Sequence, residues 1–389
     1  MLKKVAIIGG GPSGLYAAYL LKKRQVAEVV DVYELNPRLA TYGFGISMAD
    51  SGLRRLSEFD PDSYEIIRSN MHTLQSHVLE LPDGAVTVRD SRNAGAIGRA
   101  NLLEILTTCC EQSGVKLHHE HSIDSLDSFL DCDLVLGADG TNSIVRNSLA
   151  ADFGTSTYYL GNRFAWFGTH CPYEGSTLTF LAGKYGNWCG HHYRYTDTMS
   201  TFVPECDAET WKSLELGAMT DTGRREFIQD AFAETLNGFD LIENNSVWRC
   251  FRVTANKHIV HQNVALLGDA LFTAHFSIGS GTRLAMEDSI ALVQSLEKHP
   301  ESVESALEHY QDHRGPERHR LVDACEKSWM WFEDFGQQVK DLSPLEFSYE
   351  YMTRTGRLND EKLRGMSPEF MAKLDEHRRL VAGNAGSQK

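Results

Sequence analysis

No stretch of about eighteen consecutive apolar residues occurs, so no segment reads as a membrane-spanning helix. The first apolar run, residues 5–8, is four residues long and glycines follow at once. That pattern reads as a buried strand rather than a secretion signal. The eight cysteines form no C-x-x-C pair and no small disulfide framework, which predicts reduced thiols in a cytoplasmic protein. Basic charge is scarce: 38 Lys and Arg against 53 Asp and Glu give a net charge of −15. An acidic surface argues against nucleic acid or an anionic membrane as the main partner, although a few arginines can still dominate one cleft. No internal repeat occurs, and low complexity is confined to residues 382–389, a tail predicted to fray. His118, His119 and His121, like His191 and His192, lack acidic or cysteine partners at metal-ligand spacing; they read as surface or strand residues, and no metal is predicted.

What remains is an ordinary globular composition, 42% hydrophobic and 23% charged, over 389 residues. Such a length suits about two or three domains. The first third alternates strand and helix signals: a strand over residues 5–8, a helix over 13–23 and a strand over 29–33, a βαβ unit. Residues 101–113 read as a helix and 134–136 as a buried strand. Segments 72–96 and 156–206 alternate and are aromatic-rich, which predicts an antiparallel sheet. The nucleotide-fold pattern returns after residue 263, and from about 302 the chain reads as helical. The expected class is therefore α/β mixed with α+β. A Rossmann-like domain (1–71, 97–155 and 256–325) interleaves with a sheet domain (72–96 and 156–255), and a helical segment follows over 326–389.

Gly9, Gly10, Gly11, Pro12, Ser13 and Gly14 satisfy G-x-G-x-x-G, follow a strand and open a helix. Gly9 permits the tight turn, Gly11 lets a pyrophosphate approach the backbone, and Gly14 allows close helix–strand packing, with the helix N-terminus facing the phosphates. Glu34 ends the second strand, where a carboxylate can accept hydrogen bonds from a ribose diol. This motif predicts dinucleotide binding without separating FAD from NAD. Two later segments repeat a strand, a loop and a helix. Asp139 and Gly140 follow one strand; Gly268 and Asp269 follow another, with Gly279 and Gly281 before the next helix. Asp269 can bind a ribityl or ribose hydroxyl, and the glycines can present backbone N–H donors to an anionic group.

Together these three motifs resemble the class A FAD-dependent aromatic hydroxylases of the para-hydroxybenzoate hydroxylase fold, in order and spacing over residues 1–325. The resemblance implies non-covalent FAD. It matches Asp139 to the family's DG motif, Asp269 to its ribityl-binding aspartate, Arg99 to an arginine near the flavin, and Gly45, within Gly43, Phe44 and Gly45, to the mobile flavin loop. Residues 195–202, 275–279 and 331–333 are similar to a narrower group: the violacein-pathway tryptophan hydroxylase and the monooxygenase half of salicylyl-CoA and anthraniloyl-CoA hydroxylases. The latter carry a further flavin-reductase-like domain, which is not expected within these 389 residues. The wider family's two loop prolines are His275 and Phe276 here, its usual histidine is Phe272, and an asparagine is Arg283.

What the resemblance implies is an FAD-dependent monooxygenase acting on an aromatic or indolic, tryptophan-like molecule. NADH or NADPH is the reductant, dioxygen the co-substrate and a flavin C4a-hydroperoxide the oxygen donor. His275 and Phe276 are the candidate catalytic residues, with Phe164, Trp166, Trp188 and Phe202 as the substrate lining. Trp329, Trp331 and Phe332 read as core packing or a pocket cap. Alternatives are an aryl-CoA hydroxylase or epoxidase, with Arg354 and Arg357 meeting phosphates, a flavin reductase or oxidase, and a non-catalytic FAD-binding protein. Oligomeric state is not legible.

Overall fold

A computed structural model describes residues 1–38, 40 and 43–386. Leu2–Ile8 lies between Ala27–Tyr33 and Leu134–Gly137, all parallel. Val264–Leu266 extends this sheet beyond Leu134–Gly137, Val260–His261 adds an antiparallel edge, and Lys116–His118 forms the other edge. Val5, Ala6 and Ile7 are fully buried, because helices cover both faces of such a sheet and its strands become continuous apolar runs. The register decides where ligands can bind. Ile8 aligns with Tyr33 and with Gly137, and Gly137 aligns with Leu266. The loops beginning at Gly9, Glu34, Ala138 and Leu267 therefore emerge side by side at the carboxyl edge, where open parallel sheets bind ligands.

The second sheet has ten strands. Its main path runs Leu241–Glu243, Phe167–Thr169, Ser200–Cys206, Trp188–Arg194, Ser176–Leu181, His72–Leu81, Gly84–Gly98 and Gly45–Ala49. Ser156–Phe164 pairs with Ser200–Cys206 and with Arg249–Ala255. Two details differ from the sequence reading. The sheet is not wholly antiparallel, since Ser176–Leu181 runs parallel to His72–Leu81. Gly45–Ala49, expected with the Rossmann-like part, instead pairs with Ala94–Gly98 in this sheet. One face of the sheet packs Trp188, Phe202 and Phe167 against Ile228, Phe232 and Leu236. The other face packs Leu79, Val88, Phe180 and Cys189 against the C-terminal helices.

Those helices are Val303–Glu333, Phe335–Asp341, Pro344–Thr353, Asp360–Met366 and Pro368–Gly386. Their apolar residues Trp331, Phe332, Phe335, Phe347, Tyr351 and Phe370 form a core with the sheet, so this segment is integral to the fold. The last helix runs to Gly386, where a frayed tail was expected; residues 387–389 lie outside the described residues. All eight cysteines are free and seven are buried. Among the described residues, no helix is long and apolar enough to cross a membrane and no cluster could hold a metal ion.

Candidate active site

The glycine turn has the dimensions a pyrophosphate needs. Gly9 has φ +109°, and a Cβ there would stand 2.3 Å from the Ala138 carbonyl oxygen. A Cβ on Gly14 would stand 2.0 Å from the Gly9 carbonyl oxygen. Both glycines are thus required by the packed turn itself. Gly11 differs, because a Cβ there would find only the Ala138 oxygen, at 4.0 Å. Gly11 caps Pro12–Lys23 with no side-chain hydrogen bond, leaving first-turn N–H groups free. Pro12 occupies a position where its missing N–H costs nothing, and Ser13 is buried beneath the turn. Glu34 lies across the turn: it accepts from the Gly10 N–H at 2.7 Å and from the Asn36 backbone at 2.8 Å.

The other two motifs converge on the same crevice. Asp139 accepts from the Ile144 N–H at 2.6 Å through one oxygen, while its other oxygen is buried with no partner among the described residues. Burial pushes the Asp139 carboxyl above the usual range. Arg146, fully buried, donates to the Thr141 carbonyl at 2.8 Å and the Ala270 carbonyl at 3.3 Å. It ties the Asp139 loop to the Asp269 loop, a role the sequence reading did not assign. Asp269 lies deep in the protein yet opens to solvent in the crevice, and no described group donates to it. Burial raises its carboxyl, opposed by Arg99 and Arg318. Arg99 donates its backbone N–H to the Phe44 carbonyl at 2.8 Å, but its buried Nε has no partner among the described residues. Behind Asp269, the buried Asp288 accepts from Arg314 Nε at 2.8 Å, Arg318 Nε at 2.9 Å and the Gly268 N–H at 3.0 Å. Gly281–Lys298 begins without a side-chain cap, just after Gly279 turns at φ +56°. An open phosphate cradle, an orphaned guanidinium, two unpartnered carboxylate oxygens and an uncapped helix start fit an extended, anionic, hydroxyl-bearing dinucleotide such as FAD.

Beside this crevice stands an aromatic cluster. Phe276 lies 4.6 Å from Phe164, 5.6 Å from Trp166, 4.3 Å from His275 and 5.2 Å from His191, between ring centroids. His275 is 2% exposed, and its Nδ1 accepts from the Ser277 N–H at 3.3 Å. Burial pushes its pKa down to about 4, so the imidazole is neutral at physiological pH. Ser277 in turn meets Ser328 at 2.9 Å, and Arg354 donates to Ser328 at 3.0 Å and to the Ser277 carbonyl at 2.9 Å. The flavin-loop candidate is tied to the sheet. The Gly45 N–H donates to Thr201 at 2.8 Å, and a Cβ on Gly45 would collide with the Tyr195 ring.

Residues 104–325 match the family model for an FAD binding domain, and residues 7–68 match an NAD(P)-binding Rossmann-like domain. The chain belongs to the FAD-binding-domain family of flavin monooxygenases and aromatic hydroxylases. It is 34% identical to a salicyloyl-CoA 5-hydroxylase from a Streptomyces species, over 90% of this chain and 70% of that protein. A 3-hydroxy-4-methyl-anthranilyl-[aryl-carrier protein] 5-monooxygenase from Streptosporangium sibiricum is 32% identical, over 92% and 95%. The protodeoxyviolaceinate monooxygenase of Chromobacterium violaceum is 27% identical, over 90% and 94%. Among solved structures, a point mutant of 2-methyl-3-hydroxypyridine-5-carboxylic acid oxygenase superposes with a TM-score of 0.70 at 18% identity, covering 92% of this chain and 97% of that one. As a family member the flavoprotein uses FAD, with NAD(P)H as reductant and dioxygen as co-substrate.

In this flavoprotein the predicted residues divide clearly. Gly9, Gly11, Pro12, Ser13, Gly14 and Glu34 form the glycine turn with Asp139 beside it, Arg99 faces Asp269, and Gly279 and Gly281 lie at the start of Gly281–Lys298; Phe164, Trp166, His275 and Phe276 form the aromatic cluster. Trp188 and Phe202 do not join them. They point through the opposite face of the sheet, where Trp188 packs on Phe232 and Trp248, and Phe202 on Phe232. Side chains alternate along a strand, so on these two strands it is His191 and Glu205 that face the Phe276 side. Arg354 is committed to Ser277 and Ser328, which removes it from the phosphate-binding role considered above; Arg357 is exposed. Of the three tail aromatics, Trp329 joins the Rossmann-like core, Trp331 the tail core, and Phe332 reaches the cluster by stacking on His191 at 5.3 Å.

Proposed function

We propose that this flavoprotein hydroxylates an aromatic acyl group carried as a thioester, on the ring carbon para to a hydroxyl or amino donor. Similarity over nearly the whole chain to two proteins named for 5-oxygenation of salicyloyl-CoA and an anthranilyl-carrier thioester carries this reading. In both named substrates position 5 lies para to the heteroatom at position 2, the site such a donor activates. Bound FAD would supply oxygen transfer once reduced by NAD(P)H and exposed to dioxygen. The chain's own residues do the rest. Gly11 and the open helix start would bind the pyrophosphate, Asp269 the ribityl hydroxyls, and Arg99 the adjoining polar edge. Phe164, Trp166 and Phe276 would hold the ring and keep water from it. His275 would act by fixing the loop: its Nδ1 is already occupied by Ser277, and Arg354 braces that contact from the C-terminal helices.

A panel of salicyloyl-CoA, anthraniloyl-CoA, free salicylate, tryptophan and indole tests the reading, with NAD(P)H consumption and product mass followed together. Hydroxylated aryl thioester is the expected product. Hydroxylation of tryptophan or indole alone would restore the indolic reading, which the violaceinate relative favours. Reductant consumed with no oxygenated product from any compound would point to an oxidase or reductase.

A further inference from the structure

The sheet face toward Phe276 carries a buried polar pair that the mechanism above leaves unused. Trp188–Arg194 and Ser200–Cys206 run antiparallel, with Cys189 opposite Glu205 and His191 opposite Val203. His191 and Glu205 are therefore diagonal neighbours on one face. The His191 Nε2 lies 3.0 Å from Glu205 Oε2, and the other Glu205 oxygen accepts from the Asn162 amide at 2.9 Å. Asn162 is itself fixed by donating to the Phe332 carbonyl at 2.8 Å. The Glu205 side chain is 1% exposed and that of His191 12%.

A carboxylate only accepts, so the proton of a neutral His191 belongs on Nε2 and the lone pair on Nδ1. No described group bonds to that Nδ1. The ring stacks on Phe332 and meets Phe276 edge-on, which places it in the aromatic cluster. His275 cannot substitute, because its Nδ1 is occupied and the residue is almost wholly buried. His192, the next residue, points to the other face and meets Thr179 at 2.9 Å.

We propose that His191, oriented by Glu205, takes the proton of a ring hydroxyl on the substrate. The proposal rests on the aromatic-hydroxylase reading above. The O–H bond breaks, the proton passes to Nδ1, and the electron pair stays on oxygen, enriching the para carbon that is oxygenated. NAD(P)H supplies the two electrons, dioxygen supplies one oxygen atom to the ring and one to water, and His191 returns its proton as product leaves. Glu205 stabilises the imidazolium, as a buried carboxylate does for a histidine base. The titratable and charged groups surrounding the pair are Glu333, Arg354, His77, His192, His275, Cys189 and Cys206.

The test uses the FAD-loaded protein, salicyloyl-CoA and its 2-methoxy analogue, which has no proton to give. At neutral pH the wild type should bind salicyloyl-CoA with the absorbance of its phenolate. His191→Gln should bind it with similar affinity but as the neutral phenol, and should hydroxylate about a hundredfold more slowly, recovering as pH rises. Glu205→Gln should lie between, with a displaced pH profile. A His191→Gln protein that keeps the phenolate spectrum and the wild-type pH profile overturns the proposal, as does a loss of rate equal at every pH. Nitrogen NMR of the ligand-free protein decides independently of substrate: a His191 carrying its proton on Nδ1 at neutral pH overturns it. If neither thioester binds while that tautomer is as expected, it is the aryl-thioester reading that fails.

Discussion

Gly11→Val and Gly14→Ala are neighbouring substitutions with opposite expected consequences. Gly11 has φ −76° and ψ 179°, ordinary extended backbone, and a Cβ there meets nothing closer than 4.0 Å. The fold therefore accepts valine at the cost of a poorer helix cap, about 1 kcal/mol. That should lower the apoprotein's melting temperature by only about 1 °C, because the unfolding entropy of a 389-residue chain is large. The branched side chain would instead fill the approach of the pyrophosphate. Losing two charge-assisted hydrogen bonds at about 1.5–3 kcal/mol each should weaken FAD binding by about a hundredfold to ten-thousandfold. Gly14→Ala puts a methyl 2.0 Å from the Gly9 carbonyl oxygen, a backbone atom that cannot step aside without opening the turn. It should destabilise the apoprotein outright. Circular dichroism melting and FAD titration of the apoproteins separate the two effects. A Gly11→Val protein that binds FAD like the wild type would refute the placement of the pyrophosphate, and one that fails to fold while Gly14→Ala melts normally would refute the steric reasoning.

Asp269→Ala should weaken FAD binding by about 1.5–3 kcal/mol, because a ribityl hydroxyl loses a charged acceptor; equal affinity in a flavin titration would remove Asp269 from the site. Phe276→Ala should cost about 2 kcal/mol of stability, less than a fully buried Phe because the ring is half-buried. It should also admit water, so that peroxide rises relative to product for each NAD(P)H consumed; unchanged coupling would take this loop out of the active site. The His275 pKa lies near 4 against 6.5 when free, so the unfolded chain binds its proton first as the medium is acidified. That residue's contribution is complete above pH 6.5 and falls by on the order of 3 kcal/mol as pH drops toward 4. His275→Gln should flatten the stability curve in that window, and a slope identical to wild type would contradict the assignment. Truncation after Cys325 should leave an insoluble protein rather than a flavin-binding fragment, because it strips the sheet face that includes Phe180 and Leu79. A soluble, FAD-loaded fragment would disprove that packing.

The nucleotide crevice was legible because its requirements are local. A turn that collides with Ala138 and a helix that presses on Gly9 each demand glycine at a fixed spacing, and that spacing survives in the sequence. The substrate face was less legible. All seven residues of Ser200–Cys206 are buried, so the polar–apolar alternation that marks an inward face is erased and Phe202 looked like a better lining than Glu205. The same strand covering hid the pairing of Glu205 with His191, whose neighbour His192 has the same chemistry and the opposite direction. Arg146 and Arg354 were unassigned or misassigned for a related reason: most of their partners are main-chain carbonyls, which carry no sequence signal. The amphipathic tail was recognisable as helix, but only the tertiary contacts reveal that Trp331 and Phe347 complete the sheet's core.

Turnover under isotopically heavy dioxygen with salicyloyl-CoA and NAD(P)H tests the central claim most directly. The account predicts one heavy oxygen atom in the ring of the product, formed in step with NAD(P)H consumption and only when FAD is bound. Product without the heavy atom, or reductant whose electrons end entirely in hydrogen peroxide, would contradict it.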